Sequence, residues 1–179
     1  MLKLEAADLQ LFKDVLGQSL LSCFSYRIEG NNNSVSYWDG AVGMHFSGRA
    51  KIYFYTTPGF VEDEMGIVFH DYKILTEANP QMTEELICNN TPISEILIYG
   101  RPFNPETFKA WPNIYEAFKH ETHTDDVFLF KFEDGNQMLV FFDLIGPCMG
   151  ININERIRDF WESVEAHDLS YSLHHHLKA

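Results

Sequence analysis

Positive charge is scarce in this chain. Its 179 residues include 13 lysines and arginines against 26 aspartates and glutamates, a formal net charge of −13. Such a surface repels phosphate backbones and anionic lipid headgroups, so neither nucleic acid nor a membrane is an expected partner. Cysteine is scarce as well. Cys23, Cys88 and Cys148 are odd in number and show no C-x-x-C spacing, which argues against a disulfide framework and fits a reducing, cytoplasmic setting. No apolar run approaches the roughly 20 residues of a membrane span. The first residues, Met1 to Asp8, carry acids where a signal peptide is apolar. Several chemical patterns are missing too. The sequence holds no phosphate-binding P-loop, no G-x-G-x-x-G, no complete H-E-x-x-H, no EF-hand loop and no G-x-S-x-G elbow. No cofactor and no resident metal is therefore expected.

What the chain has in abundance is aromatic surface. Fifteen Phe, eight Tyr and three Trp bring the aromatic share to 15%, and such side chains favour a pleated, half-buried sheet. The length fits one domain over residues 1–179, and a chain of this size buries roughly 70% of its unfolded surface.

The periodicities alternate between helix and strand. Leu9, Phe12 and Leu16 follow helical spacing, with Gly17 placed to stop the helix. Leu20, Phe24, Tyr26 and Ile28 keep a period of two, Gly30 to Asn33 form a turn by composition, and Val35 to Trp38 suggest a hairpin partner. Val42, Met44 and Phe46 mark the next strand. A further strand runs over 50–56 and ends at Thr57-Pro58-Gly59, and another lies within 66–75, so an antiparallel meander is expected. Asn79-Pro80 resembles a helix start leading to Cys88, 93–99 reads as a strand, and Asn104-Pro105 opens a helix that Pro112 interrupts.

The stretch 127–143 is the most informative. Asp134-Gly135 signals a two-residue hairpin turn, which would set Phe130 opposite Leu139 and Phe128 opposite Phe141. Both faces of this hairpin are apolar in any register, so it is expected to be central and covered on both sides. Ile157, Phe160, Trp161 and Val164 then form the apolar stripe of a covering helix. The expected fold is α+β: a curved antiparallel sheet with helices packed on it and both termini near helices.

Candidate chemistry is sparse. His120-Glu121-Thr122-His123 is one residue short of H-E-x-x-H and reads as a solvated connection with histidines near a helix C-terminus. His174-His175-His176 reads as a frayed polar end. Cys148, in the Gly146 to Gly150 loop, stands where a nucleophile can stand, with His45 or His70 as its base, yet no helix start follows to lower its pKa.

The acids are concentrated. Residues 60–126 hold thirteen acids against four bases. Together with exposed aromatics, such a segment suits a basic protein. The expected function is that of a non-enzymatic, acidic protein-binding module that neutralises a basic partner, of the kind of a bacterial immunity protein or antitoxin blocking a nuclease toxin. Its expected contact residues are Glu62, Asp63, Glu64, Asp125, Asp126, Trp38, Phe60 and Trp111. The alternatives are a small enzyme or ligand-binding domain with an aromatic-lined pocket on the sheet, and a subunit that dimerises through an edge strand.

Overall fold

The computed structural model of the chain describes residues 3–25, 37–39, 41–59, 69–75, 84–87, 90–109, 112–142, 148–167 and 169–179. Three helices are described: α1 (Ala6–Asp14), α2 (Pro112–Phe118) and α3 (Glu155–Ala166), with a 3-10 turn at Pro105–Phe108. The strands are β1 (Leu20–Ser25), β2 (Tyr37–Asp39), β3 (Ala41–Phe46), β4 (Lys51–Gly59), β5 (Phe69–Leu75) and β6 (Glu84–Ile87). They continue with β7 (Ile93–Pro102), β8 (His123–Phe132), β9 (Gln137–Phe142), β10 (Cys148–Ile153) and β11 (Ser172–Lys178).

Strand is the dominant element, and the strands form two antiparallel sheets rather than the single sheet expected. One has the order β5-β4-β3-β1-β6 and the other β11-β7-β8-β9-β10-β2. The two sheets share an apolar cluster. Leu20, Cys23, Val42, Met44, Ile52 and Phe54 of the first meet Ile93, Ile96, Ile98, Phe128, Phe130, Val140 and Phe142 of the second. Helix α1 adds to this cluster through the fully buried Phe12, which stacks on Phe128 at 5.3 Å between ring centroids. Gly17, with φ of +73°, lets the chain leave α1 in the left-handed region, and its N–H bonds the Ile93 carbonyl at 2.9 Å.

The opposite face of the second sheet is also covered. Leu97, Val127, Leu129 and Leu139 pack with Ile157 of α3, and Tyr99, Phe141, Phe160 and Trp161 join them. The central strands thus lie between a sheet and a helix, as their two apolar faces require. No helix among the described residues is long and apolar enough to cross a membrane.

The register of the β8–β9 hairpin differs by one residue from the two-residue-turn expectation. Val127 pairs with Phe141, Phe128 with Val140, Leu129 with Leu139 and Phe130 with Met138. The cause is a longer loop. The Gly135 N–H bonds the Phe132 carbonyl at 3.0 Å, the Phe132 N–H bonds the Asn136 carbonyl at 2.9 Å, and Gly135 has φ of +85°. This is the three-residue loop in which a left-handed glycine follows a turn. The slip exchanges which residues face which layer, but both faces remain apolar and covered.

Three other expectations change. The segment Tyr37–Asp39 pairs with β10, not with β1, whose neighbours are β3 and β6. Glu84–Ile87 is a strand rather than part of a helix, because Leu86 and Ile87 complete the open edge of β1 opposite Cys23 and Ser22. Strand β4 runs on through Pro58 to Gly59, where β5 is its only neighbour among the described residues, a place that tolerates a residue without an N–H.

The aromatic contact between α1 and the central hairpin should dominate stability. Phe12→Ala is expected to cost about 3–5 kcal/mol, the usual range for emptying a buried Phe site. Chemical denaturation followed by tryptophan fluorescence measures it. A loss under about 1 kcal/mol would mean that α1 is not anchored as described.

Candidate functional site

The C-terminal histidines are not a frayed end. Strand β11 is the edge strand of the second sheet, and it pairs antiparallel with β7 from Ser172 opposite Gly100 to Lys178 opposite Glu95. His176 Nε2 lies 3.0 Å from Glu95 Oε2, and Lys131 and Lys178 reach the same carboxylate. The His176 hydrogen bond, helped by these lysines and opposed by desolvation, holds the Glu95 carboxyl below its ordinary pKa. One histidine of the run of three therefore docks the strand.

A second histidine turns inward, and the reason is a pair of irregularities around Gly100. On β8 the register moves from Val127 opposite Tyr99 directly to Asp125 opposite Gly100, so Asp126 is the extra residue. On β11 it moves from Leu173 opposite Tyr99 directly to His175 opposite Ile98, so His174 is the extra residue. A bulge re-aims the side chain of its extra residue and lets two successive residues escape strict alternation. Asp125 and Asp126 are accordingly both buried, at 1% and 2% exposure. Gly100 between them is buried too, and a Cβ there would lie 1.8 Å from the Thr124 carbonyl oxygen and 2.4 Å from His174 Cε1. Only glycine allows the three strands to approach this closely.

The two buried acids have different partners. Arg101 Nε donates to Asp126 Oδ2 at 2.8 Å, and the Arg101 guanidinium stands 4.9 Å from the centre of the Tyr171 ring. Burial pushes the Asp126 carboxyl above the usual carboxylate range, against the opposing pull of Arg101 and the Thr124 hydroxyl. Asp125 Oδ1 accepts from His174 Nδ1 at 2.7 Å, and its Oδ2 accepts the Leu4 backbone N–H at 3.0 Å. The other nitrogen of His174, Nε2, lies 3.0 Å from Ser172 Oγ.

His123, the first residue of β8, completes the group. Its ring lies edge-on to that of His174 with centroids 4.5 Å apart, and Thr122 Oγ1 is 3.4 Å from its Nδ1. His123, Asp125 and His174 each offer a ligand atom, and these atoms all lie within 4.8 Å of one another. His120, by contrast, is exposed on the turn after α2 and shares no helix with His123, because α2 ends at Phe118.

The residues expected to form a docking surface are placed unevenly. Asp125 and Asp126 are corrected to interior positions: each is committed to a partner inside the protein and presents no charge to a surface. Trp38 lies on β2, the edge strand at the far side of the second sheet. Glu62, Asp63, Glu64, Phe60 and Trp111 lie outside the described residues, as does His70's side chain. Cys148 begins β10, and His45 is engaged with Tyr53, its Nε2 2.6 Å from the phenol oxygen. Sequence reasoning passed over Arg101, Gly100 and Ser172. An isolated glycine inside a strand pattern, marking a close approach of backbones, was the available signal for Gly100.

No protein-family model matches the chain, and no curated protein or solved structure is significantly similar to it.

Gly100→Ala should destabilise the protein by about 1–3 kcal/mol or more, since backbone must move to admit the methyl group. The denaturation midpoint should fall, and amide exchange in β11 should speed up most. Exchange unchanged in β11 would mean the strand does not rely on this approach.

Proposed function

We propose that the chain is an acidic, non-enzymatic module of the cytoplasm that binds and neutralises a basic protein, of the kind of an immunity protein or antitoxin that blocks a nuclease toxin. One observation carries this reading: eight of the thirteen bases are paired with acids of the same chain. Lys3, Arg101, Lys109, Lys119, Lys131, Arg156, Arg158 and Lys178 each lie within 4.0 Å of an acid of the same chain. These eight bases meet seven acids, since Lys131 and Lys178 share Glu95, so nineteen of the 26 acids lie outside these pairs. A field of that sign steers a basic partner and repels nucleic acid. The aromatic side chains of the central strands, in contrast, are used in the two apolar clusters, which weakens the idea of an aromatic-lined pocket on that sheet. Of the proposed contact residues, Glu62, Asp63, Glu64, Phe60, Trp111 and Trp38 remain; Asp125 and Asp126 drop out.

The test is association with a basic protein, sought first among any encoded beside its gene. Binding should be tight at ~50 mM salt and weaken steeply as salt is added. Replacing Glu62, Asp63 and Glu64 together by Lys should slow association about tenfold at low salt while leaving dissociation nearly unchanged. Absence of binding at ~50 mM salt would refute the reading.

A small enzyme is the second reading, and one arrangement favours it. Ser172 Oγ, His174 and Asp125 stand in the order of nucleophile, base and orienting acid. The same hydrogen bonds also dock β11, so this reading ranks second. A serine-directed fluorophosphonate should label the wild-type chain and not Ser172→Ala; equal labelling of the two removes it.

A further inference from the structure

We infer that His123, Asp125 and His174 form a binding site for a divalent cation of the zinc class. The inference is independent of the proposed partner-binding function. Two imidazoles and one carboxylate are a donor set for borderline divalent ions, and three protein ligands with a fourth position left to water is a familiar zinc arrangement.

Three observations support the site. The first is convergence. The ligands come from two strands that β7 separates, and the bulge of β11 sets its extra residue, His174, against Asp125 of β8 at 2.7 Å. The second is outer support, which metal sites need to fix each ligand's orientation. His174 has Ser172 Oγ at one nitrogen, Asp125 has the Leu4 N–H on one oxygen, and His123 has Thr122 Oγ1 near its Nδ1. His174 Nδ1 and Asp125 Oδ1 already meet at 2.7 Å, and each of the three residues offers one ligand atom within 4.8 Å of the others. The third is access. Asp125 is buried, while His123 and His174 are only half-buried, so an ion and its water can reach the rings.

Binding has a defined proton balance. The cation replaces the proton of the hydrogen bond between His174 Nδ1 and Asp125 Oδ1, which leaves to solvent, and that 2.7 Å contact becomes a shared edge of the coordination shell. Bonds of roughly 2.0–2.1 Å set ligand atoms about 3.3 Å apart in a tetrahedron. The ligand atoms lie within 4.8 Å of one another before an ion is bound, so binding draws them together to that tetrahedral spacing.

The experiment uses the full chain, stripped with a chelator and titrated with Zn²⁺ by calorimetry, and with Co²⁺ by visible absorption. One equivalent is expected to bind, with proton release and with the intense visible bands of four-coordinate cobalt. His123→Ala and His174→Ala should each weaken binding about a hundredfold or more, and Ser172→Ala about tenfold. His120→Ala should bind as wild type. Because β8 and β11 would be tied together, Zn²⁺ should also slow amide exchange in β11 of the wild type but not of His174→Ala. Two results would overturn the site. One is a wild-type chain whose cobalt spectrum stays that of the free hydrated ion. The other is undiminished binding in folded His123→Ala or His174→Ala, as judged by circular dichroism, which would assign the metal to other histidines.

Discussion

Strands β8 and β9 have apolar side chains on both faces, and the rest of the described structure answers that constraint. Phe128 and Phe130 point into one layer, and Val127 and Leu129 into the other. Covering the first layer takes α1 and strands β1, β3 and β4 of the first sheet; covering the second takes α3. Each layer holds an aromatic contact at its centre: Phe12 on Phe128 in one, and Phe141 beside Phe160, with centroids 4.7 Å apart, in the other. Large rings at such separations supply much of the burial that offsets chain entropy in a domain of this size.

Polar groups enter this apolar frame at one end of the sheet. There the alternation of β8 breaks at Asp125 and Asp126, and the chain compensates in kind. Arg101 is spent on Asp126, and His174 with the Leu4 N–H is spent on Asp125. Buried carboxylates persist only where such donors reach them. The same contacts attach Leu4, ahead of α1, and the strand β11 to the middle of the sheet. A cluster that can gather donors around a carboxylate can also present ligands to a cation, because both tasks need lone pairs converging on one point. A surface role for these two aspartates is incompatible with that geometry. The acidic character of the chain therefore resides elsewhere, on acids left over after the bases have formed their pairs.

Much of the fold was legible because hydrophobic period reflects burial directly. Leu9 and Phe12 announced α1, the alternation at Val42, Met44 and Phe46 announced β3, and the stripe of Ile157, Phe160 and Trp161 announced α3. The two-sided apolar pattern of the central hairpin announced that it would be covered twice, whatever its register. Local composition was less reliable about partners. Tyr37–Asp39 joined β10 rather than β1, and Glu84–Ile87 became an edge strand, because strand pairing is settled by which edge remains open and not by neighbours in sequence.

The candidate site was hardly legible. His123 and His174 lie in two short histidine fragments, each read as solvated, and Asp125 belonged to what looked like a charged surface run. By itself the sequence determined the elements, the burial of the central strands and the excess negative charge, since these follow from residue type and spacing. Tertiary structure alone decided the site, for a physical reason. Bulges at Asp126 and His174 are one-residue offsets between strands distant in the chain, and only strand pairing around Gly100 brings His123, Asp125 and His174 to a common point.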